Sequence, residues 1–169
     1  MMRLSICVCA LGVALGAEIC RGAAAPQETV YVTGPRSTSI PLTISSQGQL
    51  FATIGIAGRK LRMLVDTGSP NTSVDKAIAL ELKLRPEGEE RKTAMGATVV
   101  GDWCSHSDIK IGDFLIHRCP LRLVDMSATR AGIAAAEFEP FDGFLGVDML
   151  LFLRAKMDFN HRTMQLYRP

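Results

Sequence analysis

The chain has 169 residues, 47% of them apolar and 21% charged, which is globular composition and short enough for a single domain. The formal net charge is +2, and the Lys and Arg residues are scattered. That pattern excludes a nucleic-acid-binding stripe and a polybasic membrane patch.

The first element is N-terminal. Arg3, the apolar stretch Leu4 to Ala17, and then Gly22-Ala23-Ala24-Ala25 have the basic start, short apolar core and small-residue exit of a secretory signal peptide. We therefore expect residues 1–24 to be a signal peptide cleaved after Ala24, with an uncut anchor as the alternative. The apolar stretch is too short to span a bilayer, so no stable membrane span is expected after cleavage. The mature protein is expected to be periplasmic or secreted. Residues 25–45, rich in Pro, Thr and Ser, read as an N-terminal arm or linker, and residues 46–169 as the domain.

Within the domain, Leu50 to Ile56 and Leu61 to Val65 are β-rich runs joined by Ala57-Gly58-Arg59-Lys60, a hairpin signal. The second run delivers Asp66-Thr67-Gly68-Ser69. An Asp at the end of a buried strand, followed by Thr and Gly, puts one carboxylate on a tight turn at the mouth of a β fold. Ser73 to Leu82 has helical spacing with Ser73 as N-cap. Residues 91–101 read as two short strands around Met95-Gly96-Ala97, and Trp103 begins a stretch of strands through Val124. Residues 127–139 are Ala-rich and read as a solvated loop or a short weak helix. Phe144-Leu145-Gly146 reads as a strand end, Val147 to Arg154 as the start of a helix with Asp148 near its N-terminus, and residues 156–167 as a terminal hairpin.

The order of Leu61 to Ser69 and Asp142-Gly143-Phe144-Leu145-Gly146 resembles the retropepsin family of aspartic proteases, in particular its single-domain bacterial members. The resemblance covers roughly residues 46–169 and implies an all-β fold with short helices: a retropepsin-like closed β-barrel, one acid-protease half, active as a homodimer. It implies an aspartic endopeptidase in which Asp66 and its symmetry mate activate a water, with Thr67 hydrogen-bonding across the dimer and Gly68 admitting backbone N–H groups to the carboxylates. Ser69 and the tip Met95, Gly96 and Ala97, placed where the family has its flap, are the expected substrate-binding residues; Ser69 is further expected to donate to the outer carboxylate oxygen. Phe144 to Gly146 would brace the Asp66 loop, and the 163–167 strand would contribute to the dimer interface. Peptide or protein substrates are expected, with no nucleic acid, cofactor or metal. The alternative function is a peptide-binding module that keeps the fold without turnover.

Other residues carry weaker signals. Asp142 reads as a turn residue and Asp148 as a helix-start acid. No Ser sits in a Gly-x-Ser-x-Gly elbow, which argues against a serine hydrolase. Cys104 and Cys119 are the cysteines expected to survive processing. They leave three readings open: a disulfide, unpaired core thiols, or a Cys2His2 metal site with His106 and His117. A two-residue turn at Gly112-Asp113 would place His106 opposite Cys119 and leave the cysteines diagonal; a four-residue loop would place the cysteines opposite one another.

Overall fold

A computed structural model describes residues 29–94, 97–135 and 138–169. The expected signal peptide and the flap-tip residues Met95 and Gly96 lie outside the described residues. In chain order the elements are β1 (Tyr31–Thr33), β2 (Ser37–Ile44), β3 (Leu50–Ile56), β4 (Arg59–Val65), β5 (Ser73–Asp75), α1 (Lys76–Glu81), β6 (Gly88–Ala94), β7 (Ala97–Ile111), β8 (Phe114–Val124), α2 (Ser127–Ala135), β9 (Gly143–Leu145), α3 (Val147–Phe152), β10 (Lys156–Asp158) and β11 (Thr163–Tyr167).

Six of these strands close a barrel in the order β3-β4-β9-β5-β8-β7, and β7 returns to β3 through Gly55–Lys110 and Ile56–Ile109. The expected all-β barrel with short helices is therefore the fold. β3 and β4 are joined by a two-residue turn, Ala57-Gly58, with φ of 48° and 80°. Positive φ at both central residues matches the right-handed strand twist, which is why Gly is favoured there. Leu61 and Met63 on β4 point inward with Ile54, Ile109, Phe114, Ile116 and Leu121 to form the main core. Closure leaves these barrel strands no unpaired edge to protect.

The arm expected at residues 25–45 is corrected over most of its described length. β1 pairs with Leu115 to His117 of β8, and β2 pairs with β3 on one side and β11 on the other. Thr38, Ile40 and Leu42 alternate inward along β2, and their burial overrides the linker-like Pro, Ser and Thr content. The helix expected from Ser73 is also shorter. Ser73 to Asp75 form a wholly buried strand paired with both β8 and β9. The cap is instead Asp75, whose Oδ1 accepts from Ala77 N at 2.9 Å. Residues 127–135 form a helix rather than a loop.

The terminal hairpin forms as expected, but β11 hydrogen-bonds to β10 along one edge and β2 along the other. Both edges of the 163–167 strand are thus used inside the chain, so it has no edge to lend to a second copy. No described helix is long and apolar enough to cross a membrane.

Candidate active site

Alternation along β4 sets the site. Leu61, Met63 and Val65 face the barrel core, so Arg62, Leu64 and Asp66 face the opposite side. Asp66 follows the last residue of β4 and is half-buried, whereas Thr67 and Gly68 are exposed. Its backbone N–H donates to Leu145 O at 3.1 Å, continuing the parallel pairing of Leu64 with Phe144 and Val65 with Leu145. A tight turn follows: Ser69 N donates to Asp66 O at 3.2 Å, and Gly68 N donates to Asp66 Oδ1 at 2.8 Å. Among the described residues the carboxylate takes no other hydrogen bond.

The loop then docks on α3. Val147 N donates to Ser69 O at 2.9 Å and Asp148 N to Pro70 O at 3.3 Å. Asp148 returns both carboxylate oxygens to Thr72: Thr72 N lies 2.8 and 2.9 Å from them, and Thr72 Oγ1 donates to Oδ1 at 2.7 Å. Thr72 Oγ1 in turn accepts from Gly146 N at 3.2 Å. Gly146 is obligatory here, because a Cβ would collide with the Asn71 carbonyl and stand 2.8 Å from Thr72 N. The expected bracing role of Phe144 to Gly146 is what the geometry contains. Asp142 is also structural: its Oδ2 accepts from Arg62 N at 2.7 Å.

One assignment near Asp66 is corrected. Ser69 Oγ donates to the Asn71 carbonyl at 2.9 Å instead of to the carboxylate, so it stabilises the outgoing loop. Ala97 opens β7 opposite Ala94, giving the expected hairpin; its strands pair in register as far back as Gly88 and Trp103, well beyond the short strands expected. Thr72, three residues after Ser69, is a positioning residue that no local motif marks, because its partner Asp148 lies 76 residues further along the chain.

The cysteine alternatives also resolve. Ile111 pairs with Phe114, so the turn is the two-residue Gly112-Asp113. Two irregularities interrupt the ladder, one between Cys104 and Ser107 and one between Ser107 and Ile109. They place Cys104 opposite Leu121 and Ser107, rather than His106, opposite Cys119. Both cysteines are buried thiols with no disulfide between them. Burial, reinforced by the charge of Asp148, pushes the Cys119 thiol up to about 12. His117 is turned away from Cys119: its Nδ1 lies 3.1 Å from Asp108 Oδ2, its Nε2 3.1 Å from Thr33 Oγ1, and its ring stacks on Tyr31 at 4.5 Å. With Cys119 in the core and His117 committed to this surface cluster, the Cys2His2 set does not converge.

The aspartyl protease family model matches residues 52–149, a span that includes Asp66, the hairpin and the β9 brace. The chain belongs to the aspartyl protease family. A retropepsin-like aspartic protease from Rickettsia conorii superposes with a TM-score of 0.51 over 83% of this chain and 94% of that one, at 13% identity. The retroviral protease-like domain of Ddi1 from Leishmania major gives a TM-score of 0.50 over 70% of this chain and 87% of its own, at 14% identity. At these identities the two structures establish a shared retropepsin-like fold for this aspartyl protease family member. No curated protein matches the chain.

Proposed function

We propose that the protein is an aspartic endopeptidase that hydrolyses peptide bonds as a homodimer, using a water activated between two copies of Asp66. The observation that carries this reading is the contrast within one short loop. The backbone around Asp66 is tied down on β9 and α3, while its carboxylate takes one hydrogen bond, from Gly68 N, among the described residues. A carboxylate held in place but not consumed is what proton transfer requires.

Chemistry supplies the need for two chains. A lone carboxylate cannot act as base and acid in the same step, and the sequence contains one Asp-Thr-Gly. Two carboxyls about 3 Å apart cannot both ionise easily, so they share a proton. The ionised member takes a proton from water as its oxygen attacks the peptide carbonyl carbon, and the protonated member donates to the carbonyl oxygen. Collapse of the gem-diol returns a proton to the leaving nitrogen, the C–N bond breaks, and no covalent enzyme intermediate forms. In this reading Thr67 locks the two loops across the dimer and Gly68 presents its N–H to the carboxylate. The hairpin ending at Met95, Gly96 and Ala97 closes over substrate, and the enzyme acts after export, in the periplasm or outside the cell. Because β11 has no open edge, the Asp66 loops and the hairpins carry the interface.

Digestion of a mixed peptide library by the wild type and by Asp66→Asn, across pH, tests the reading. The wild type should cleave with a bell-shaped pH profile that belongs to the pair of carboxyls. Peptide binding without cleavage by the wild type would instead identify a binding module.

A further inference from the structure

Outside the Asp66 loop, three side chains on neighbouring strands form a hydrogen-bonded relay: Asp108 on β7, His117 on β8 and Thr33 on β1. Asp108 Oδ2 lies 3.1 Å from His117 Nδ1, and His117 Nε2 lies 3.1 Å from Thr33 Oγ1. An ionised carboxylate only accepts, so Nδ1 carries the ring proton, and the neutral imidazole keeps its lone pair at Nε2, against the Thr33 hydroxyl. Leu115 O, a second acceptor near that hydroxyl, stands farther off at 3.4 Å. The strand ladder explains the aim. Between the pairs Ser107–Cys119 and Ile109–Ile116, β7 supplies one residue, Asp108, where β8 supplies two, His117 and Arg118. Such a bulge redirects side chains, and Arg118 takes a φ of 56° to make it. Asp108 Oδ1 accepts from Arg118 N at 3.3 Å, so the bulge itself orients the acid. The imidazole is fixed from its face by Tyr31, stacked at 4.5 Å and 19°. Its side chain is 19% exposed, whereas Thr33 is open to solvent.

We propose that Thr33 is a nucleophilic hydroxyl that takes the acyl group of a small activated ester, with His117 as its general base and Asp108 as the positioning residue. A nucleophile within hydrogen-bond reach of a base, and a base oriented by a third group, is the arrangement that activates a hydroxyl. In the step, Thr33 Oγ attacks the acyl carbon while its proton passes to His117 Nε2. The bond from the acyl carbon to the leaving oxygen breaks, the alcohol part departs as its anion, and a threonine ester remains. Asp108 holds the ring and stabilises the imidazolium that forms. The imidazolium then loses its proton to solvent. Because Thr33 is exposed, water solvates the oxyanion formed on the way, so the outcome is a lasting acyl adduct and not rapid turnover.

The test treats folded protein with p-nitrophenyl acetate and follows acetylation site by site, by mass spectrometry of proteolytic fragments. Thr33 should acquire acetyl in the native chain and not in the urea-unfolded chain, where the relay is gone. His117→Gln should slow the reaction at Thr33 on the order of 10²-fold, the usual share of a general base. Asp108→Asn, which nearly keeps the shape, should slow it at least about ten-fold by releasing the ring from its tautomer, and it answers the question should His117→Gln fail to fold. Acetylation of lysines elsewhere should be the same in all three chains. No acetyl at Thr33 in the native protein, an equal rate there after unfolding, or an unchanged rate in the folded variants would overturn the proposal. The readout requires no peptide cleavage, so it stands or falls apart from the proposed peptidase.

Discussion

The loop 66–72 and the segment 142–148 both carry acids, yet they use them in opposite ways. Asp148 receives Thr72 N, Thr72 Oγ1 and Met149 N, and Asp142 receives Arg62 N, so these carboxylates serve as fasteners. Asp66 receives Gly68 N and lies at the end of a strand held by those fasteners. Motif and burial alone do not separate these acids; among the described residues, Asp66 differs in that its backbone is fixed while its carboxylate takes a single hydrogen bond, and on the proposed function that is the acid that reacts.

The most severe way to break this contrast is to exchange the roles. Asp66→Asn nearly preserves shape while removing the ionisable group, so peptide turnover should fall at least about 10³-fold with no change in thermal unfolding. Asp148→Ala should do the reverse. It leaves Thr72 N and Oγ1 without their acceptor and should cost about 3 kcal/mol of stability by denaturant titration, the scale of lost charge-assisted hydrogen bonds. Stability unchanged in Asp148→Ala would remove the fastener from the account.

The contrast sharpens at the thiols. A group whose folded pKa is raised is held in its neutral form, and Cys119, pushed up to about 12, should resist iodoacetamide at pH 8 in native protein and react once unfolded. Relative to the unfolded thiol, at 9.0, its contribution to stability is present below pH 9 and is lost as pH rises towards 12. An intact mass two units higher under reduction would show a disulfide and contradict the two buried thiols.

The smallest expected effect is at the terminal hairpin. The backbone N–H and the ring of His161 hold the Asp158 carboxyl below its ordinary value. With the folded pKa depressed, the contribution is present above the unfolded value near 3.8 and fades as pH falls below it. Asp158→Asn should therefore narrow the gap in unfolding temperature between pH 6 and pH 3 slightly, and an unchanged gap would deny the bond any role. The Asp158 side chain is about half exposed, so solvent screens the bond and the shift should be small.

Much of the site was legible because local patterns and tertiary structure agree there. The alternation of Leu61 to Val65, the turn residues of Asp66-Thr67-Gly68 and the β9 strand end each point to the arrangement observed. Where they disagree, composition misled. β2 looks like a linker because Pro41, Ser37, Ser39 and Thr43 occupy its exposed positions, although Thr38, Ile40 and Leu42 keep the period of two that buries it. Ser73 looks like a helix cap, but pairing with two neighbouring strands wins over its capping preference. The paired ladder irregularities between β7 and β8 have no composition signal that identifies them beforehand, so the Cys104 and Cys119 geometry had to come from the structure. The side-chain contacts of Arg62 with Glu139 and Pro140 join residues nearly eighty positions apart and were likewise invisible to local reading.

On the proposed function, one chain supplies half of the catalytic site. The most direct test mixes a fixed concentration of wild type with increasing Asp66→Asn, with assembly followed by sedimentation and activity measured in the same samples. The account predicts that wild-type chains sediment as dimers where they are active, that activity falls when the sample is diluted below the dimer dissociation constant, and that excess mutant suppresses wild-type activity by forming mixed dimers. Full activity from a species that sediments as a monomer, unaffected by the mutant chain, would contradict it.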